Sequence, residues 1–118
     1  MIYGKPRIGR GIRHRAGAMN KLEAKYAAHL ELRRRANEIV WYGYEPWKLK
    51  LADKTYLTPD FGVQLADGTL ESHEVKGFWE DDARVKSKLA ARLHPFRFIC
   101  VTQVKGAWDY EILTREEE

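Results

Sequence analysis

The sequence predicts one α/β domain, a mixed β-sheet flanked by helices. Two observations carry this. Residues 19–37 and 80–93 place apolar side chains at helical spacing. Between and after them lie short segments rich in β-branched and aromatic residues, or alternating with a period of two. The order is helix, three or so strands, helix, two strands. It contains a strand–helix–strand unit whose strands should run parallel, with a right-handed crossover.

The elements follow in order. Asn20 can cap the first helix, with Glu23 three residues on completing a capping box. Its apolar stripe is Met19, Leu22, Tyr26, Ala27 and Leu30, and Arg33, Arg34 and Arg35 suit its C-terminal dipole. Residues 39–51 hold Ile39, Val40, Trp41, Tyr42, Tyr44 and Trp47, interrupted by Pro46, and read as one strand or two short pieces. Asp53-Lys54 is a turn. Phe61, Val63 and Leu65 alternate with polar residues or glycine, Asp67-Gly68 signals a two-residue hairpin turn, and residues 69–76 form the returning strand. The second helix starts near Asp81 and Asp82 and ends before Pro95, with Val85, Leu89 and Leu93 expected toward the core beside Ala90. Phe96, Phe98, Ile99 and Val101 then make a central strand, and residues 107–113 a last one.

The chain has 118 residues, 44% of them apolar, enough for one modest core. Its single cysteine, Cys100, excludes an intrachain disulfide or a cysteine-based zinc site, and suits a reducing cytoplasm. No apolar run is long enough to span a bilayer, and the N-terminus lacks the apolar region of a secretory signal. The formal charge of +4 is concentrated in residues 1–18, where Lys5, Arg7, Arg10, Arg13 and Arg15 stand without an acid. With glycines and Pro6 among them, these residues read as a flexible basic arm. A phosphate backbone is its expected partner, and a solubility tail is the plain alternative. Residues 19–113 form the domain, and residues 114–118 an acidic tail.

The segment of greatest chemical interest is the strand ending in Glu74-Val75-Lys76. Residues two apart share a strand face, so Leu70, Ser72, Glu74 and Lys76 lie on one side and Glu71, His73 and Val75 on the other. With a two-residue turn at Asp67-Gly68, Asp60 falls opposite Val75; one extra turn residue would bring it onto the Glu74 face. Two converging carboxylates repel and are best neutralised by a hard cation such as Mg²⁺, with a nearby backbone carbonyl, that of Val75, and water completing the shell. A bound metal polarises a phosphoryl oxygen, and a lysine beside it stabilises developing negative charge. Glu23 lies on the stripe of the first helix that faces the sheet. It is either the capping-box acid alone or a third acid of the site.

These residues resemble the PD-(D/E)XK nuclease superfamily. Pro59-Asp60 within "TPDF" matches its PD, and Glu74-Val75-Lys76 within "HEVKG" matches its E-x-K. The element order is similar to that superfamily's restriction-endonuclease-like αβββαβ core. From Met19 to Leu113 the chain resembles a small phage and prophage family catalogued as a domain of unknown function and regarded as nucleases akin to Holliday junction resolvases. The resemblance implies that Asp60 and Glu74 bind Mg²⁺ or Mn²⁺, that Lys76 is the catalytic lysine, and that Glu23 completes the acidic set. It places a further basic group on the following helix, where Arg84 and Lys88 are the candidates for phosphate contact. A solvated helix face with an ordinary Arg–Asp pair is their alternative.

The expected function is therefore a metal-dependent endonuclease acting on DNA in the cytoplasm, selective for branched structures on resemblance alone. Two sites for two strands imply a homodimer, with the aromatic region 41–47 a possible interface. The rivals are a non-catalytic DNA-binding module, an accessory phage protein and an RNA nuclease. His14, His29, His73 and His94 have no metal-ligand spacing and read as structural or exposed. Phe78 and Trp79 follow the site and could stack on a base.

Overall fold

The computed structural model describes residues 18–113; the basic arm with Lys5, Arg7, Arg10, Arg13 and Arg15, and the acidic tail, lie outside them. The order is α1 (Lys21–Arg35), β1 (Ile39–Tyr44), β2 (Leu49–Ala52), β3 (Thr55–Leu57), β4 (Phe61–Leu65), β5 (Leu70–Lys76), α2 (Asp81–Leu93), β6 (Arg97–Val104) and β7 (Ala107–Leu113). Five strands make one mixed sheet in the order β1-β4-β5-β6-β7, in which only β5 and β6 pair in parallel, across α2. The expected α/β architecture is present, with β5 at the centre. The segment 39–51 is two strands rather than one. Its second piece, β2, pairs with β3 in a separate hairpin.

α1 begins as its sequence dictates. The Asn20 side chain accepts from the Glu23 N–H at 2.7 Å, and the Glu23 carboxylate accepts from the Asn20 N–H at 3.0 Å. It stops short of Asn37, which takes the left-handed conformation (φ 65°) while the Asn37 and Glu38 N–H groups close on the Arg34 and Arg33 carbonyls. That is a Schellman ending, and asparagine is second only to glycine in tolerating it. Tyr26 and Leu30 are buried with Ile39, Phe61, Val63, Val75, Ile99 and Val101, forming the core between α1 and one sheet face.

The other face is covered by α2 and the β2–β3 hairpin, around Leu49, Leu51, Ala90, Ala91, Phe98, Cys100 and Leu113. Gly62 makes this possible. A Cβ there would lie 2.7 Å from both Pro46 Cγ and Trp47 Cη2, so only glycine lets Trp47 settle on β4. Trp47 then stacks on Phe96, with centroids 4.5 Å apart, and donates its indole N–H to Ser72 Oγ at 3.0 Å.

Two expectations are corrected. The β4–β5 turn is a three-residue loop, not a two-residue turn: the Gly68 N–H closes on the Leu65 carbonyl, Leu65 N–H on the Thr69 carbonyl, and Gly68 takes φ 96°. Phe61 therefore faces His73. The second correction is the orientation of α2. Its buried residues are Ser87, Ala90 and Ala91, whereas Val85, Leu89 and Leu93 point outward. Small side chains let the helix lie close to the sheet, and the large ones follow on the far side. Among the described residues no helix is long and apolar enough to cross a membrane.

Candidate active site

The three-residue loop brings the acids together. With Phe61 opposite His73, the next position outward sets Asp60 beside Glu74. Asp60 lies just before β4, where the ladder ends, and its carboxylate substitutes for a backbone acceptor by taking the Val75 N–H at 2.8 Å. The Asp60 and Glu74 carboxyl groups share a hydrogen bond, and both are buried. Burial pushes the affinity of Glu74 for its proton well above the carboxylate range, and the charge of Asp60 adds to this. Asp60 is raised too, mainly by burial, although the bonds from Glu74 and the Val75 N–H work against it. Lys76, partly exposed on the same strand face, favours ionisation of both.

Glu23 fills the capping-box role. Its Oε1 serves the capping box and also accepts from the Tyr44 hydroxyl at 2.9 Å, while its charge acts on Asp60 and Glu74 through space. Tyr44 was not expected here. Only the β1–β4 pairing, which sets Tyr44 opposite Phe61, brings it under α1. Val75, whose carbonyl was expected as a ligand, meets the pair through its N–H.

Among the described residues no three or more His, Cys, Asp or Glu converge as a metal-holding group. What converges is a pair. That pair fits a divalent cation in one respect: burial disfavours ionisation of both carboxyls, which a cation would favour, and Mg²⁺ is commonly held by one or two carboxylates with water filling the remaining positions.

On the same sheet face, Cys100 lies opposite Glu74 and Glu111 opposite Cys100. Arg84 of α2 reaches down to Glu111 with two bonds of 3.0 and 2.7 Å, which hold the Glu111 carboxylate below its usual range. Arg84 thus clamps α2 to β7, through a glutamate and not the aspartate of the plain alternative. Lys88 is exposed one turn further along. Burial pushes the Cys100 thiol up to about 12, so it is no nucleophile. Phe78 is 72% exposed, while Trp79 packs beneath α2 with its indole N–H unpartnered.

The opposite face of β5 carries a network that the sequence did not reveal. His73, fully buried, joins the Tyr26 hydroxyl at Nδ1 (2.7 Å) and Glu71 at Nε2 (2.8 Å), and Arg97 donates to Glu71 at 3.3 Å. A neutral ring satisfies every partner if Nδ1 accepts from the tyrosine and Nε2–H donates to the carboxylate. Burial lowers the proton affinity of His73, with Glu71 opposing. A cavity of about 670 Å³ lies beside this network, lined in part by His29, Arg33, Arg97 and Tyr110. It adjoins the Glu71 end of β5, away from Lys76. The one available signal was the strand alternation itself, which sends Glu71 and His73 to the side of Val75. His94 is structural, bonded through Nε2 to the Lys50 carbonyl at 2.8 Å.

The chain matches no family model, no curated protein and no solved structure. What it does must be argued from the chemistry of these side chains.

Proposed function

We propose that the protein is a divalent-metal-dependent endonuclease that hydrolyses DNA phosphodiester bonds, with branched DNA as the preferred substrate. The observation that carries this reading is the buried Asp60–Glu74 pair, its two carboxyl groups in hydrogen-bond contact beside the partly exposed Lys76. Structural carboxylates are ordinarily neutralised by a matched partner, and perturbed ones cluster at functional sites. The main sheet supports it as well. With the β2–β3 hairpin treated as an insertion, the sheet strands and helices before β7 follow the αβββαβ order of the PD-(D/E)XK fold.

Asp60 and Glu74 would hold Mg²⁺ or Mn²⁺, with the Val75 carbonyl and Glu23 as further candidates. When bound, the metal supplies Lewis-acid polarisation of the phosphate and a more acidic water. Hydrolysis adds water across the P–O3′ bond, with a proton ending on the departing 3′ oxygen. Lys76 stabilises the negative charge that grows on the phosphoryl oxygens. Tyr44 and the capping box hold Glu23 in place. Lys88 and the basic arm bind phosphates along the duplex, while Arg84 contributes its remaining donors from the Glu111 clamp. Two strands cut together require two sites, hence a homodimer in the cytoplasm.

The deciding test incubates the protein with labelled linear, single-stranded and four-way-branched DNA, with Mg²⁺, Mn²⁺ or EDTA. Metal-dependent cutting that disappears in Asp60→Asn, Glu74→Gln and Lys76→Ala is expected. Salt-sensitive DNA binding without cutting on any substrate would make the chain a binding module instead.

A further inference from the structure

The two faces of the sheet are covered unequally. On one side α2 packs over β6 and β7. On the other, α1 lies over β1 and β5 and reaches β7 through side chains alone, such as His29 on the Tyr110 hydroxyl at 3.1 Å. The uncovered strip of sheet is the floor of the cavity of about 670 Å³ beside the His73 network. Register sends Arg97 and Ile99 of β6, and Tyr110 and Ile112 of β7, to that side. His29, Leu32 and Arg33 of α1, at helical spacing, form the facing wall. Leu32 is 64% exposed and Ile112 49%, so apolar side chains of wall and floor both stand open to solvent. A space of this size, apolar with a few convergent polar groups, has the make-up of a small-molecule site. The proposed cleavage chemistry does not use it, because Glu74 lies on the other face of β5.

The polar groups select the ligand. Among the described residues, Arg33 gives its Nε–H to Glu38 at 2.9 Å, and Arg97 gives one N–H to Glu71 at 3.3 Å, long for a charge-assisted bond. A guanidinium holds its donors in a planar fork that matches a carboxylate, so each arginine keeps donors for a guest. Both act on the same buried network: Arg97 through Glu71, which bonds His73, and Arg33 by its charge on His73. The two arginines are balanced by Glu38 and Glu71, and His29, its proton affinity lowered by burial and by Arg33, adds no charge. Neutral walls with spare donors accommodate one further negative charge and leave several uncompensated, which disfavours a nucleic-acid strand or a polyphosphate. The body of the guest meets Leu32, Ile99 and Ile112 beside the Tyr110 and His29 rings, and a flat aromatic ring lies well against such a sheet surface.

We propose that this cavity binds a small aromatic carboxylate, its ring between Leu32 and the Ile99–Ile112 floor and its carboxylate held by the Arg33 and Arg97 guanidinium groups. The site needs neither metal nor DNA and stands independently of the nuclease reading.

The test is equilibrium dialysis of the full chain against 2-naphthoate in EDTA, with circular dichroism to verify folding. Saturable one-to-one binding is expected. Ile112→Trp and Leu32→Trp fill the cavity from its floor and from its wall, at positions open enough to take a larger ring, and each should abolish binding. Arg33→Gln and Arg97→Gln should each weaken it about tenfold, as the loss of a charge-assisted bond does. Glutamine keeps an amide donor for Glu71, so Arg97→Gln leaves the buried carboxylate with a partner. The neutral isostere 2-naphthamide should bind at least about tenfold more weakly than the carboxylate. Absence of saturable 2-naphthoate binding at millimolar concentration overturns the proposal, and so does binding indifferent to both tryptophan variants. Equal affinity for 2-naphthamide, or tighter binding of 2-naphthyl phosphate, overturns the assignment to a carboxylate.

Discussion

β5 carries similar side chains on its two faces and leaves them in opposite states. Toward α1, Glu71 and His73 are tied into a chain from the Tyr26 hydroxyl to the Arg97 guanidinium, and every buried polar atom named in it has a partner. Toward the other face, one residue further along, the buried Glu74 and Asp60 carboxyl groups share a hydrogen bond, and burial raises the proton affinity of both, with the partly exposed Lys76 opposing. The first arrangement is what a buried polar group requires to be tolerated. The second retains an unfavourable charge, and the natural relief of that charge is a cation. A polar core network and a candidate metal site are thus told apart by satisfaction, not by composition.

The largest effect should come from removing one acid. Glu74→Gln is expected to reduce DNA cleavage to background and to abolish the rise in melting temperature that Mg²⁺ or Mn²⁺ gives the wild type. In metal-free buffer the same variant should melt higher than wild type, since a neutral amide ends the repulsion with Asp60. A lower melting temperature would mean that the pair is structural. Lys76→Ala comes next: cleavage should fall about 10²- to 10³-fold, while cation-induced stabilisation persists. Steady-state rates and thermal shifts on one preparation separate the two variants.

Tyr26→Phe breaks the other face. It leaves His73 Nδ1 without its donor in a dry environment, so unfolding by urea should show a loss of about 1–3 kcal/mol with cleavage per folded molecule unchanged. The faces should also respond oppositely to pH. His73 has a lowered proton affinity in the fold, so its contribution is present above its ordinary value near 6.5 and is lost as pH falls below it. Asp60 and Glu74 are raised, so theirs is present below the ordinary carboxylate range and is lost as pH rises through the raised values. Metal-free melts across the range should show both slopes, and Glu74→Gln should flatten the alkaline one. The smallest effect belongs to Arg84→Ala. Its clamp to Glu111 is solvent-exposed and screened, so a double-mutant cycle should find only a marginal coupling.

The local periodicities of the sequence were sufficient for the helices, the alternating strands and the parallel β5–α2–β6 unit. They also placed Glu74 and Lys76 on one strand face, because a strand's period of two is set by its own backbone. The capping box of Glu23 was legible for the same reason. Three matters were decided only by the tertiary structure. Whether Asp60 meets Glu74 depended on one residue in the loop, and alternation along either strand is blind to a one-residue slip between them. The direction of α2 was set by the close approach that Ser87, Ala90 and Ala91 allow, against the pull of larger apolar side chains that helical periodicity alone assigns to the core. The partners of His73, Glu111 and Glu23 come from Tyr26, Arg84 and Tyr44, each 20 or more residues away in the chain. Contacts at such separations arise from packing and register, which are properties of the folded whole and are not encoded in any one segment.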